Sequence, residues 1–384
     1  MKNFNFLILY FCAILAMCIM YSPQPLQPHF EQILEISKFK ASLFTTAILA
    51  PLAFASIIYG YILEKVSIKN VLVGVFFVFG ASEICFALAD SYEILLIIRI
   101  IQGFIVPAAL TGIMSYISQS ANKQNLASAI GAYVGMTIAG GFIGRFLSGF
   151  FTDLFGWRFF FFVLGVLAFG VSALLYKILP VIKISLVKPK IRNIAQILSI
   201  PRNIYIFCAI FGMCFVFQAT LNVLPFELKR LLGEFNGSKI GFMYFGYIVG
   251  VFISFNVARI ANFCKGPTNA IMIGFLIYFI ALLLLHVESF GVIFGSMIVF
   301  YFGSFMAHSV ATAHVNKKAT AHKGITNGLY ISFYYCGGAL GSFVPGFLYD
   351  SFGWGAFLSA LCVVVMASIF FIWKLKRYEL RKIH

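Results

Sequence analysis

Residues 131–157, GAYVGMTIAGGFIGRFLSGFFTDLFGW, return 197 positions later as residues 328–354, GLYISFYYCGGALGSFVPGFLYDSFGW. At that offset Gly131 meets Gly328, Tyr133 meets Tyr330, and Gly140-Gly141 meets Gly337-Gly338. Gly144 then meets Gly341, Gly149 meets Gly346, Asp153 meets Asp350, and Phe155-Gly156-Trp157 meets Phe352-Gly353-Trp354. Pro28 and Pro225 keep the same spacing near the start of each half. No gap is needed. The chain is a duplication of a unit about half its length, and whatever it folds into must be built twice.

The solvent for that fold is set by composition. Soluble domains carry about 25% charged residues; here the fraction is 10%, with 61% hydrophobic residues and a mean hydropathy of +0.98. Such a chain cannot cover itself with polar surface in water, so it is an integral membrane protein. The net charge of +16 does not point to nucleic acid, because the Lys and Arg residues sit in short loops between apolar runs, as topogenic charges do. The 8 cysteines fall almost entirely inside apolar runs without metal-ligand spacing, and read as small packing residues. The first apolar run, 5–21, has no small-residue cleavage site and is followed at once by Pro23, Pro25 and Pro28. It is expected to stay as the first membrane helix.

A spanning helix needs about 20 mostly apolar residues. That ruler predicts an all-α membrane protein with twelve spans: near 5–22, 41–63, 70–89, 94–117, 127–150 and 158–177, then 204–224, 240–262, 268–287, 290–312, 325–347 and 355–374. With the N-terminus inside, twenty of the 28 Lys and Arg residues face the cytoplasm and six face outward, Arg99 and Arg145 lying within helices. Both termini are therefore expected in the cytoplasm. The longest inner connection is basic and separates the sixth and seventh spans. The expected organisation is a six-helix half over 1–177, a basic cytoplasmic linker over 178–203 and a second six-helix half over 204–384. Six is even, so the two copies enter the membrane in the same sense, as parallel repeats related by an axis along the membrane normal.

Three local patterns carry a resemblance. Gly60, three residues, Glu64-Lys65, one residue, Ser67 and then Lys69 lie between the second and third spans. Arg99-Ile100-Ile101-Gln102-Gly103 lies in the fourth, and the glycine-rich run around Gly140, Gly141 and Gly144 in the fifth. Together they resemble the major facilitator superfamily. The first is similar to its signature loop, with Glu64 for the usual Asp, Lys65 for Arg and Ser67 for the second turn glycine. The second matches its Arg-x-x-Gln-Gly pattern. The third is similar to the antiporter motif of its proton-coupled exporters, without that motif's proline. Gln24-Pro25-Leu26, Gly144-Arg145 and Gly156-Trp157-Arg158 are closer still to one subgroup, the YnfM-like inner-membrane permeases of bacteria, treated as exporters.

The resemblance implies a conformational latch at Gly60, Glu64, Lys65 and Lys69. It also implies a substrate path lined by the first, fourth, seventh and tenth helices, which offers Tyr21, Gln24, Gln102, Gln218, Asn222, Tyr301, Ser304 and His308. Gly140, Gly141 and Gly144, with Gly337, Gly338 and Gly341, strip side chains from one helix face and let backbones approach, small residues being what packs helices in a bilayer. By resemblance they also form a seam on which the halves rock. The ionisable residues inside spans are few, and each is a functional hypothesis. Glu83, Arg99 and Arg145 lie about 9–12 Å inside the outer ends of their helices, counting 1.5 Å per residue. Glu83 is read either as a carboxylate neutralised by Arg99 or as a proton carrier; Arg145 as a snorkelling side chain or a site residue. His308 is read as a solvated or satisfied histidine more than a proton relay.

No catalytic cluster, metal-ligand spacing or nucleotide-binding glycine loop is present in the sequence, so the expectation is a transporter and not an enzyme. It is expected to need no cofactor or metal, to draw on a proton gradient, and to act as a monomer in the bacterial inner membrane. Its partners are the lipid bilayer and a small organic substrate, with no nucleic acid. Proton-coupled export is the leading reading; uptake by symport and a ligand-binding membrane sensor or scaffold without flux are the alternatives. Two arginines against one glutamate within the spans favour an anionic or neutral polar substrate.

Overall fold

The structure is a computed structural model. It describes the backbone of residues 2–65, 67–121, 126–181, 191–318 and 323–381, and the side chains of those stretches except 2–4, 56–65, 127, 191–193 and 323–324. The latch positions Gly60, Glu64 and Lys65 are described in backbone only, and residues 182–190 of the basic linker lie outside the described residues. Among the described residues there are helices and turns but no strand. Apolar runs of this length leave few alternatives, because a helix satisfies its own backbone where water is absent. The helices are α1 (Lys2–Tyr21), α2 (Gln27–Ile33), α3 (Lys38–Lys65), α4 (Ile68–Leu88), α5 (Tyr92–Ser120), α6 (Leu126–Phe155), α7 (Trp157–Ile178) and α8 (Ile191–Leu198). They continue as α9 (Pro201–Leu232), α10 (Gly237–Phe242), α11 (Tyr247–Phe255), α12 (Val257–Phe263), α13 (Pro267–Leu284), α14 (Phe290–Lys318), α15 (Lys323–Gly341) and α16 (Gly346–Leu380).

Eleven spans among the described residues are long and apolar enough to cross a membrane. The remaining expected span, near 325–347, is α15. Its polar residues, among them Thr326, Asn327, Tyr330 and Tyr334, hold its hydropathy down. One expected span is broken rather than continuous: the segment near 240–262 is divided into α10, α11 and α12. The first span ends at Tyr21, close to its expected end, and is followed by a 3-10 turn at Gln24–Leu26 and then α2. Pro23, Pro25 and Pro28 explain why the helix stops there, since each removes a backbone donor and fixes φ.

The chain divides into two compact units. One comprises Met1–Lys188 with Leu228–Tyr247, the other Pro189–Glu227 with Ile248–His384. In the first, α4 packs on α7 and α5, α3 on α5, and α1 on α6 and α5, with α10 lying on α6. Ser67 and Ser91 cap the starts of α4 and α5 by accepting from Asn70 N and Ile94 N, both at 3.3 Å. Phe30, Phe44, Phe86, Trp157 and Phe161 form an aromatic core there. In the second unit α13 packs on α14 and α16, and α14 on α15. Lys69 of the expected latch is half-buried, its Nζ 5.4 Å from the centroid of the Tyr176 ring.

The repeated Phe-Gly-Trp is a turn used twice. Gly156 has φ 81° and ψ 156°; Gly353 has φ 78° and ψ −176°. Both lie in a region open essentially to glycine alone. Each glycine lets one helix end and the next begin without a connecting loop, and each delivers a buried tryptophan. Trp157 joins the aromatic core, and Trp354 Nε1 donates to Leu285 O at 2.8 Å. A Cβ at either glycine would meet nothing within 4 Å, so substitution there strains the backbone without crowding a neighbour. Gly156→Ala and Gly353→Ala should each lower stability by about 1–3 kcal/mol. Thermal unfolding of the purified variants checks this; an unchanged midpoint in both would remove the turn from the list of stability determinants.

Candidate functional site

The break after α1 organises the polar interior of the first unit. A helix leaves its last carbonyls without partners, and at α1 two buried arginines from different helices converge on that end. Ser22 N and Ser22 Oγ both donate to Cys18 O. Arg99, from α5, donates from Nη1 to Ile19 O at 2.8 Å and from Nη2 to Met20 O. Its Nε reaches Phe44 O of α3 at 3.3 Å. A cation at a helix C-terminus also complements the helix dipole.

Arg99 and Glu83 do not touch. Gln102 stands between them, one turn along α5 from Arg99: Arg99 Nη1 donates to Gln102 Oε1 at 2.6 Å, and Gln102 Nε2 donates to Glu83 Oε1 at 2.7 Å and to Ser82 Oγ at 3.0 Å. Glu83, Arg99 and Gln102 are buried. The second carboxylate oxygen of Glu83, Oε2, has no partner among the described residues. The three residues form a relay with a guanidinium at one end and an open carboxylate oxygen at the other.

Arg145 sits on the other side of the α1 break and is fully buried, so it does not snorkel. Its Nε donates to Gln24 Oε1 at 2.7 Å and its Nη1 to Gly141 O at 2.8 Å. Its Cζ lies 3.8 Å from the ring centroid of Tyr21, 5.1 Å from that of Tyr247 and 5.4 Å from that of Tyr244. Arg145 Nη2 and the Tyr244 hydroxyl are both buried without a partner among the described residues. No carboxylate forms an ion pair with Arg145 there. Cation–π contacts contribute about 0.5–2 kcal/mol each, whereas burying an ion has an effective penalty of several kcal/mol. The rings offset part of that penalty and accept none of the in-plane Nη2 hydrogens.

Asp153, two turns further along α6, anchors the start of the segment that carries Tyr244 and Tyr247. Its carboxylate accepts from Gly237 N at 3.0 Å, from Ser238 N at 2.7 Å and from Ser238 Oγ at 2.7 Å. Gly149 and Gly237 pack so closely that a Cβ on Gly149 would stand 2.3 Å from Gly237 O. Lys229 Nζ adds an ion pair to Glu31 Oε2 at 3.1 Å.

The repeated glycines lie at helix crossings inside each unit. A Cβ on Gly140 would fall 2.5 Å from Ile14 O, and one on Gly144 2.6 Å from Cys18 Cα, so this face of α6 packs on α1. Gly337 and Gly341 do the same for α15 on α9, against Phe211 O and Phe215 O. Gly338 is buried in α15. Gly141 faces Arg145 and Tyr247.

In the second unit Gln218, Asn222, Tyr301 and Ser304 are buried. Asn222 Nδ2 donates to Ser342 O, and Ser304 Oγ to Tyr301 O at 3.2 Å. His308 is half-buried, with Nδ1 3.2 Å from the Tyr330 hydroxyl and its ring 4.7 Å from Tyr334. Ser304, His308 and Tyr334 border a cavity of about 10 Å³ with Met213, Phe217 and Phe305, room for about one water. A buried carboxylate that sequence reasoning did not single out lies at Glu227, whose Oε2 accepts from the Tyr349 hydroxyl at 3.0 Å. It sits just beyond the expected end of its span. Tyr244, Tyr247 and the role of Asp153 were likewise missed. The first two lie inside a run that reads as one continuous helix, and Asp153 stands in the sequence as a repeat and depth marker.

Comparison with known proteins places this architecture. The sequence profile of the Major Facilitator Superfamily matches residues 9–323. The inner membrane transport protein YnfM of Escherichia coli is 24% identical over 378 residues, covering 94% of this chain and 88% of the relative. An uncharacterized transporter of Buchnera aphidicola from Schizaphis graminum is 22% identical over 383 residues, covering 98% and 92%. The MFS-type transporter YybF of Bacillus subtilis is 24% identical over 360 residues, covering 91% and 88%. Among solved structures, a bacterial homologue of the human lysosomal transporter Spinster, inward-facing and occupied, superposes with a TM-score of 0.73 at 15% identity, covering 98% of this chain and 97% of that one.

Proposed function

This chain belongs to the Major Facilitator Superfamily and is a multi-pass membrane transporter, and on that premise we propose that it exports a small organic molecule across the bacterial inner membrane in exchange for protons, by alternating access. One observation carries the coupling: the Glu83–Gln102–Arg99 relay. Glu83 is buried, keeps one oxygen on Gln102 and has the other without a partner among the described residues. That oxygen is able to gain and lose a proton without dismantling the hydrogen bond that holds the side chain. An ionisable group inside a span is a functional candidate by default, and this one is linked through Gln102 to the arginine that caps α1. Protonation of Glu83 is thereby coupled to the break in α1. Export is favoured by the likeness of the α6 glycine run to an antiporter motif. Cytoplasmic termini are favoured by the excess of Lys and Arg in the loops assigned to the inner side.

Reconstituted vesicles with an internal pH dye and an imposed pH gradient test this. Candidate organic anions, sugars, amino acids and lipophilic cations are added one at a time. The wild type should move protons when its substrate is present. Glu83→Gln, which keeps an acceptor for Gln102, should lose that proton movement yet still exchange labelled substrate across the membrane. Glu83→Gln coupling flux to the gradient at the wild-type rate would sink the assignment. Ligand binding without any flux in the wild type would favour a sensor or scaffold.

A further inference from the structure

Arg145 is a second place, besides Glu83, where the buried chemistry of the first unit is incomplete. A guanidinium has five N–H donors in a fixed fork. Here Nε and Nη1 are used on Gln24 and Gly141, while Nη2 points at no acceptor among the described residues. The Tyr244 hydroxyl, on a ring facing the same guanidinium, also has no partner among the described residues. Two donors and one uncompensated positive charge thus share an aromatic enclosure that also includes Tyr21 and Tyr247.

Nor does the fold require arginine at this position. At the 197-residue offset Arg145 corresponds to Ser342. The second copy brings its equivalent helix against α9 through Gly337 and Gly341 without a charge there. What the first copy adds is recognition chemistry. The structure points to a monoanion with two acceptor atoms: a single guanidinium charge matches one negative charge, and Nη2 with a tyrosine hydroxyl matches two oxygens.

We propose that Arg145 and Tyr244 bind the carboxylate of a small organic acid, with the rings of Tyr21 and Tyr247 as walls, and that this acid is the transported substrate. The last clause rests on the transporter reading above; the binding site does not rest on the proton relay. The segment that carries Tyr244 and Tyr247 is fastened by Asp153 through Gly237 and Ser238.

The test is thermal stabilisation of the detergent-purified protein by a panel of monocarboxylates, including benzoate and lactate, beside their neutral amides and inorganic phosphate. A ligand bound only by the folded state raises the unfolding midpoint. At least one carboxylate should stabilise the wild type while its amide does not. Arg145→Gln should abolish the shift. Tyr244→Phe, which removes one oxygen and keeps the ring, should weaken binding about tenfold, as loss of a hydrogen bond to a charged group does. Should Arg145→Gln fail to fold, Tyr244→Phe decides alone. The midpoint shift reads binding and the vesicle assay reads proton movement, so loss of the anion site and loss of coupling are read separately. Equal stabilisation of wild type and Tyr244→Phe overturns the proposal. So does stabilisation by phosphate, amides or lipophilic cations in place of carboxylates. No carboxylate effect at all would leave Nη2 and the hydroxyl as water ligands and also overturn it.

Discussion

Arg99→Ala should leave little folded protein. The side chain is 1% exposed and serves Ile19 O, Met20 O, Phe44 O and Gln102 Oε1 at once. Truncation removes a donor from acceptors on three helices, α1, α3 and α5, and strands those at the end of α1, where no water enters to replace it. Each buried acceptor left without a partner costs about 1–3 kcal/mol, and the void adds to this. Partners found in the unfolded membrane-embedded state reduce the sum. Even so it reaches on the order of 5 kcal/mol, the lower end of the total stability of a protein domain. Arg99→Lys should fall between the two, because an ammonium has three donors on one atom and cannot span acceptors on separate helices. The measurement is the monodisperse fraction on size exclusion together with the unfolding midpoint in detergent. A stable Arg99→Ala protein that no longer transports would move Arg99 from the architecture of α1 to the chemistry of transport. A stable and active one would remove both roles.

That outcome bears on how far the sequence could be read. Arg99 and Gln102 stand one turn apart and therefore on one helix face, so their contact was legible. The acceptors Ile19 O and Met20 O were not, because a backbone carbonyl has no residue-type signature. The prolines after Tyr21 announced a break in α1, but which donors would close it depends on which face of α5 turns toward it. Depth was legible for Arg145 as well, from its distance to Asp153. Direction was not: the same depth is compatible with snorkelling, and only the contact of Gly140 and Gly144 with α1 turns that side chain toward Gln24 and Tyr21. The division of residues 237–263 into three short helices was hidden because no proline marks either break, and with it the placement of Tyr244 and Tyr247. The duplication was the most legible feature. Both copies of Phe-Gly-Trp take the same glycine-only turn, a constraint that holds two sequences alike at that point.

The second large effect lies in the other copy of the repeat, where Gly341→Ala should separate α15 from α9. A Cβ on Gly341 would stand 2.1 Å from Phe215 O and 2.6 Å from Phe215 Cα. A Cβ on Gly337 would stand 2.1 Å from Phe211 O. These neighbours are backbone, so no rotamer change relieves the clash, and one helix has to move off the other. Forcing one extra carbon into a packed interface costs about 1–3 kcal/mol, occasionally more. With backbone on the far side the upper end applies, and the pair Gly337→Ala with Gly341→Ala should exceed it. Because α9 carries Gln218 and Asn222, and Asn222 donates to Ser342 O just past Gly341, the shift also breaks that polar contact. Gly328 supplies the internal control. It lies in the same helix, where a Cβ would meet nothing within 4 Å, and Gly→Ala in a helix interior is worth up to about 1 kcal/mol in propensity. Gly328→Ala should therefore unfold at or above the wild-type temperature while Gly341→Ala unfolds well below it. Equal midpoints for the two would mean that close backbone approach is not what the repeated glycines provide, and the duplication would need another physical reason for keeping them.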